Sequence, residues 1–263
     1  MSEENESRPP FKRPFRHFTT PQTDNKEIVF GIQSVLETLR SGKEIDRLLV
    51  QRELGNAEIL DLAKEKGVQV QKVPLEKLNR ITRKNHQGAI AFVSAIHYAK
   101  LENVIATTFE KGQVPLVLIL DRITDVRNFG AIIRTAECTG VDGIIIQKSG
   151  GAPINGDTVK TSAGAVFNIP ICKVDHIKDA MFYLQASEIK VIAATEKTEN
   201  TIYDVDFKQG CAVIMGSEDR GINPSILKLV DDKAKLPMYG SIASLNVSVA
   251  CGAFLYEVVR QRL

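Results

Sequence analysis

Cysteine is scarce: four residues in 263, with no CxxC pair and no Cys/His cluster. Cys138, Cys172, Cys211 and Cys251 stand far apart in apolar contexts. That predicts buried thiols in a reducing compartment, and no zinc or other metal site. No apolar run reaches membrane-spanning length, and no signal-peptide core follows the first Met. No membrane partner is expected, and the cytoplasm is the expected location. Neither sign of charge is in excess: 34 Lys and Arg face 32 Asp and Glu, a formal +2. This balance neither demands nor excludes nucleic acid, because local patches matter more than totals. Also missing is a G-x-G-x-x-G after the first strand of the C-terminal half, with the acidic residue that would read a ribose after it. A dinucleotide-dependent dehydrogenase is disfavoured on that ground.

What is present is an ordinary globular composition, 43% hydrophobic and 25% charged. The length suits one large domain or two ordinary ones. Residues 1–26 are polar and rich in Pro and charge, as in a tail that is disordered when free. Within them, Arg8-Pro-Pro-Phe-Lys-Arg-Pro-Phe-Arg-His-Phe18 interleaves basic and aromatic residues. The pattern suits phosphate contact with base stacking, and equally a solubilising tail.

Residues 27–96 alternate short helices and strands. Helices are expected at Phe30–Leu39 after a Gly start, Ala57–Lys66 and Pro74–Ile81. Strands are expected at Ile45–Val50, Val68–Val73 and Ile90–Ala95. The Gly-ended stretch Thr82–Gly88 holds Arg83, Lys84 and His86, either an RNA-contact patch or a solvated turn. Residues 97–113 are mixed and polar and read as a hinge between two domains, with room for a short helix. From Val114 strands and helices alternate regularly to Leu263. That predicts an α/β domain with a parallel sheet covered on both faces, its ligands at the C-terminal strand ends.

Three polar stretches fall at that edge. The first is Asp121–Ala136, with Asn128 near a helix start, Gly130 open to close approach and Arg134 inside an otherwise apolar helix. Such an Arg is costly unless it is paired or meets an anionic ligand. The second is Gly216-Ser-Glu218-Asp-Arg-Gly221, a glycine-bracketed turn after a buried strand. The third runs from Leu236-Pro-Met238 through Gly240 to Ser244-Leu245-Asn246 and a long apolar helix, with Ser244 as the expected N-cap. Leu236, Met238 and Leu245 would wall an apolar slot. Residues 155–164, with Lys160, read as a polar loop at the same edge, a substrate loop or a structural one.

Together, N-x-G-x-x-x-R, G-x-E-x-x-G and L-P-M-x-G-x-x-x-S-L-N-V-S-V-A resemble, in order and spacing, the three motifs of the SpoU (TrmH) family of RNA ribose 2′-O-methyltransferases. The resemblance covers Val114–Leu263. Val126-Arg127 departs from the Asp-Pro of many members. The front domain, with F-G-I-Q-S-V-L-E and N-H-Q-G, resembles the ribosomal-protein-like substrate-binding domain of the 23S rRNA guanosine methyltransferase branch. The resemblance implies a deep trefoil knot, a homodimer through the knotted domain, and S-adenosylmethionine as methyl donor. By resemblance, Gly216, Leu236, Met238, Gly240, Ser244 and Leu245 belong to the cofactor site. Arg134 would activate the hydroxyl, by lowering its pKa and binding the adjacent phosphate, while Asn128, Glu218 and Asn246 orient. The expected substrate is RNA, first a 23S rRNA guanosine and next a tRNA ribose. A non-catalytic ribosome-assembly factor on the same fold is the other class.

Overall fold

The computed structural model describes residues 28–241 and 244–263. The expected tail, residues 1–26, lies outside them. The elements in order are β1 (Ile28–Phe30), α1 (Ile32–Arg40), β2 (Ile45–Gln51), α2 (Ala57–Glu65), β3 (Val70–Val73), α3 (Leu75–Ile81) and β4 (Ala89–Val93). There follow α4 (Leu101–Glu110), β5 (Leu116–Asp121), α5 (Val126–Cys138), β6 (Gly143–Gln147), α6 (Gly156–Thr161) and β7 (Ile171–Val174). The chain ends with α7 (Ile177–Ala186), β8 (Lys190–Ala194), β9 (Cys211–Gly216), α8 (Pro224–Leu227), β10 (Asp232–Ala234) and α9 (Val247–Arg262).

The strands form two sheets. The first, in order β1-β4-β2-β3, is mixed: only β2 and β3 run parallel. The second, in order β10-β8-β9-β5-β6-β7, is parallel throughout. Its central strand β5 is buried at every position, and residue parity divides it between two cores. Leu116, Leu118 and Leu120 face α5 and α9, against Phe129, Ile132, Cys251 and Phe254. Val117 and Ile119 face α4 and α7, against Ile105, Met181 and Leu184. A strand buried on both faces reads as a continuous apolar run, and the parallel sheet expected from the alternation of strands and helices is present.

Several local expectations shift for identifiable reasons. Phe30 ends a strand, and α1 starts only after Gly31, whose φ of +92° favours a residue without Cβ. β7 starts only at Ile171, because a 3-10 turn at Ala165–Phe167 and Pro170 precede it. β10 ends at Ala234, and Pro237 beyond it has no N–H for a ladder. The segment 155–164 is not an open loop. Asn155 and Thr158 form a capping box for α6, and Thr158 and Ser162 are buried. Residues 97–113 contain α4 and a parallel bridge from Ala99 to Cys172 beside β7. His86 is buried; its ring pairs with Asn79 Oδ1 at 2.9 Å and accepts from Gly88 N at 3.0 Å. It closes the turn before β4 and is not a free RNA contact, whereas Arg83 and Lys84 stay exposed.

Candidate active site

The C-terminal ends of β9 and β5 lie side by side, with Gly216 paired opposite Asp121. After β9 the chain folds back on itself. Gly221 N donates to Ser217 O at 2.8 Å, with Gly221 at φ +64°. A Cβ on Gly216 would stand 2.2 Å from Gly221 C and from Ile222 N, both backbone atoms. Only glycine permits this fold-back. The buried Asp121 carboxylate holds the turn from the other side. It accepts from Arg122 Nε at 3.0 Å and Nη2 at 3.2 Å, and from Asn223 N at 2.7 Å. Arg122 itself sits at φ +59°, an uncommon conformation for a residue with a side chain. Asp121 and Arg122 were not assigned a role from the sequence. The available signal was an acid at the end of a wholly apolar strand, which must be paired if buried.

On the next element, Asp125 Oδ1 accepts from Asn128 N at 2.8 Å and caps α5, which starts at Val126. This places the Asn128 side chain in the first turn. Asn128 Nδ2 donates to Glu218 Oε1 at 2.6 Å. Asn246 Nδ2 donates to Asn128 Oδ1 and to Glu218 Oε1, each at 3.0 Å. One residue from each of the three polar stretches therefore closes a triangle across sequence separations of 90, 118 and 28 residues. Asn246 Oδ1 accepts from Ser248 N at 2.9 Å, so Asn246, not Ser244, is the N-cap of α9. Ser244 is exposed and makes no hydrogen bond among the described residues.

Arg134 lies on the same helix as Asn128, about 9 Å further along its axis at 1.5 Å per residue. It is exposed and has no ion pair or hydrogen bond among the described residues, so its guanidinium is available to an anion. Gly130, between them, is where α6 approaches: a Cβ there would meet Thr161 Oγ1 at 2.0 Å and Ser162 N at 2.9 Å. The close approach expected at Gly130 is thus made by the Thr161 side chain and the Ser162 backbone at the end of α6.

The expected cofactor residues occupy the loop between β10 and α9 and the end of β9. Gly216 is buried, and Leu236 is half-buried against the α5/α9 core. Met238 is 41% and Leu245 44% exposed, and Gly240 is open to solvent. From Met238 to Gly240, and at Ser244 and Leu245, no backbone N–H donates a hydrogen bond among the described residues. Uncovered apolar side chains beside free amides fit a planar, partly polar ligand. Among the described residues no group of three or more His, Cys, Asp or Glu is set to hold a metal ion. No helix there is long and apolar enough to cross a membrane.

Of the cysteines, Cys172, Cys211 and Cys251 are buried and free, and Cys138 is exposed at the end of α5, against expectation. Burial pushes the Cys172 and Cys251 thiols up to about 12 and Cys211 up to about 11, the latter partly offset by Arg262.

Residues 115–256 match the profile described as the SpoU rRNA Methylase family, and residues 28–99 match the one described as RNA 2′-O ribose methyltransferase substrate binding. A Bacillus subtilis protein named as a TrmH-family tRNA/rRNA methyltransferase is 34% identical over 239 residues, covering 90% of this chain and 96% of its own. The AdoMet-bound structure of the SpoU methyltransferase AviRb from Streptomyces viridochromogenes superposes with a TM-score of 0.58 at 26% identity, over 89% of this chain and 90% of that one. The AdoMet-bound rRNA methyltransferase from Sinorhizobium meliloti gives 0.58 at 26%, over 90% and 87%. The motif triangle, the doubly covered parallel sheet and a family profile spanning more than half the sequence agree, and the chain belongs to the SpoU rRNA methylase family.

Proposed function

We propose that this RNA 2′-O-methyltransferase acts on a guanosine of 23S rRNA, with Arg134 activating the ribose hydroxyl. The reaction class is that of the family, and S-adenosylmethionine is the donor. It supplies a methyl already activated on a sulfonium. The remaining demands fall on the chain. The nucleophile, a 2′-hydroxyl, is a very weak acid and must lose its proton during attack. A positioned group that assists proton loss contributes typically 10²–10⁴-fold. An arginine stays protonated, so Arg134 serves as an electrostatic partner of the developing oxyanion and of the adjacent phosphate. Asn128, Glu218 and Asn246 are positioning residues that lock three loops together. Gly216, Leu236, Met238, Gly240, Ser244 and Leu245 are the residues that would hold the donor.

The observation that carries this reading is the Asn128–Glu218–Asn246 triangle. It brings the donor-side loops to the helix that bears a free Arg134. The rRNA substrate is favoured by the Sinorhizobium rRNA methyltransferase, which aligns over both sheets. A tRNA ribose is the second reading, because the Bacillus relative is named for both RNAs.

In this reading residues 27–96 bind RNA, 97–113 connect, and 114–263 carry the chemistry, within a trefoil knot; residues 1–26 add a basic and aromatic arm. The enzyme works as a cytoplasmic homodimer through the α5/α9 face, where Val249 and Tyr256 are 56% and 58% exposed. The test is a map of 2′-O-methyls in total RNA with and without the gene, complemented by wild type or by Arg134→Lys. One guanosine of 23S rRNA should lose its methyl without the gene. Arg134→Lys should restore less than a tenth of the wild-type rate, because a point charge cannot replace the planar fork. Near-normal turnover would remove Arg134 from this role.

A further inference from the structure

Between the two sheets lies a cleft of about 320 Å³ that the motifs do not reach. One wall comes from β2, β3 and the residue before β3, with Arg47, Gln69 and Gln71. The other comes from the end of β6 and the loop after it, with Gln147, Lys148 and Ser149. The floor is a clasp between the sheets. Lys173 Nζ lies 2.9 Å from Asp46 Oδ1 and 4.5 Å from the centroid of the Tyr98 ring, and the Tyr98 hydroxyl donates to the same carboxylate. The only acid in the lining is therefore already neutralised.

The rim is different. Gln69, Gln71 and Ser149 make no side-chain hydrogen bond among the described residues, and Gln147 uses only its Nε2, on Asp175 O at 3.1 Å. Arg47 is exposed, with its guanidinium carbon 4.5 Å from the Phe92 ring centroid. Lys148 pairs with the exposed Asp175 at 2.8 Å. Amides that both donate and accept suit the edges of a nucleobase. Guanidinium and ammonium groups suit its phosphate, and Arg planes also stack on unpaired bases. The volume falls at the lower end of the roughly 300–1,000 Å³ usual for small-ligand sites, room for one nucleotide and not for a duplex.

Position relative to the triangle gives the cleft its meaning. Leu120 of β5 pairs with Ile146 of β6, and Asp121 pairs with Gly216 of β9. Gln147 is thus level with Gly216 and two strands away, about 10 Å at a strand spacing of about 4.8 Å. We propose that this cleft is the subsite for an unpaired nucleotide flanking the methylated one, and that Gln69, Gln71 and Gln147 read its base. The inference rests on the RNA methyltransferase reading above and adds where sequence selection occurs.

The experiment uses the full chain with Gln71→Ala and Gln147→Ala combined. Transfer of labelled methyl to 23S rRNA and to bulk tRNA, both from cells lacking the gene, is measured beside S-adenosylmethionine binding by calorimetry. Two lost hydrogen bonds should raise KM for the RNA about tenfold or more, at about 1 kcal/mol each. kcat and S-adenosylmethionine affinity should stay within twofold. A photo-crosslinking p-benzoylphenylalanine in place of Gln71 should attach within a few nucleotides of the methylated ribose. An unchanged KM, or attachment at a remote site in the RNA, overturns the subsite and leaves the methyltransferase reading standing. No transfer by the wild-type protein to either RNA overturns that reading, and the subsite falls with it.

Discussion

At the scale of single residues, the missing side chain of Gly216 shows how the site is set. At Gly216 the obstacle to any substituent is backbone on both near contacts, at 2.2 Å, so no rotamer change can relieve it. Gly216→Ala should displace the 217–222 turn and with it Glu218. We expect a stability loss of about 1–3 kcal/mol, as for other overpacked sites, and weaker S-adenosylmethionine binding by calorimetry. Wild-type affinity would remove Gly216 from the donor site. The thiols give a pH-dependent counterpart. A thiolate, not a thiol, reacts with electrophiles. With Cys172 and Cys251 pushed to about 12 and Cys211 to about 11, these three are neutral at pH 8 and shielded by packing. Titration with a thiol reagent at pH 8 should count one reactive cysteine, Cys138, in the native chain, and four after denaturation. The sign for stability follows: the unfolded chain loses these protons first, so stability should fall as pH rises above about 9, the ordinary value. The sequence showed four cysteines in apolar settings. It did not show that Cys138, one turn beyond Arg134, lies on the outer side of α5.

At the scale of elements, the helix starts carry the site. Asn246 does two tasks with one amide: its Oδ1 caps α9 and its Nδ2 ties α9 to α5 and to the turn after β9. The two can be separated. Asn246→Asp keeps an acceptor for the cap but loses the donor and sets a carboxylate against Glu218. Asn246→Ala loses both. The alanine variant should cost about 1 kcal/mol more in helix capping than the aspartate variant, in unfolding experiments. Both should lose methyl transfer by tenfold or more; an active aspartate variant would show that the triangle does not position the loops. The three motif residues were legible because their types and spacings are specific. Their cap geometry was not. Position after a small-residue loop pointed to Ser244, but Asn246 takes the cap by accepting from Ser248 N, while its amide also reaches Asn128 and Glu218. Short elements were lost for the same reason. α6 has six residues and depends on packing against Gly130, which no local pattern announces. The inner strands β5, β6, β8 and β9 are largely buried apolar runs, whereas the edge strands β10 (Asp-Lys-Ala) and β7 are only partly buried.

At the scale of the whole molecule, the question is what holds the mixed sheet in register with the parallel one. The sequence marked residues 97–113 as a connector. It could not show that a residue on β2 would meet one on β7 across 127 positions. The two side chains of that contact, Asp46 and Lys173, are only 10% and 14% exposed, and burial together with Asp46 pushes the Tyr98 phenol far above its usual range. Charges so placed stabilise little by comparison with an apolar pair, but either one left alone is costly, about 3–5 kcal/mol. Asp46→Ala leaves the Lys173 ammonium buried against Tyr98 with no counter-charge. It should lower the unfolding free energy by that amount and split a single calorimetric transition in two, the mixed sheet melting before the parallel one. Combining Asp46→Leu with Lys173→Met removes both charges and fills the space, and should recover most of the loss. If the single variant melts as the wild type does, the clasp contributes nothing to the relation between the two sheets. If the double variant is no better than the single one, the cost lies in lost shape at the floor of the cleft and not in an unpaired charge.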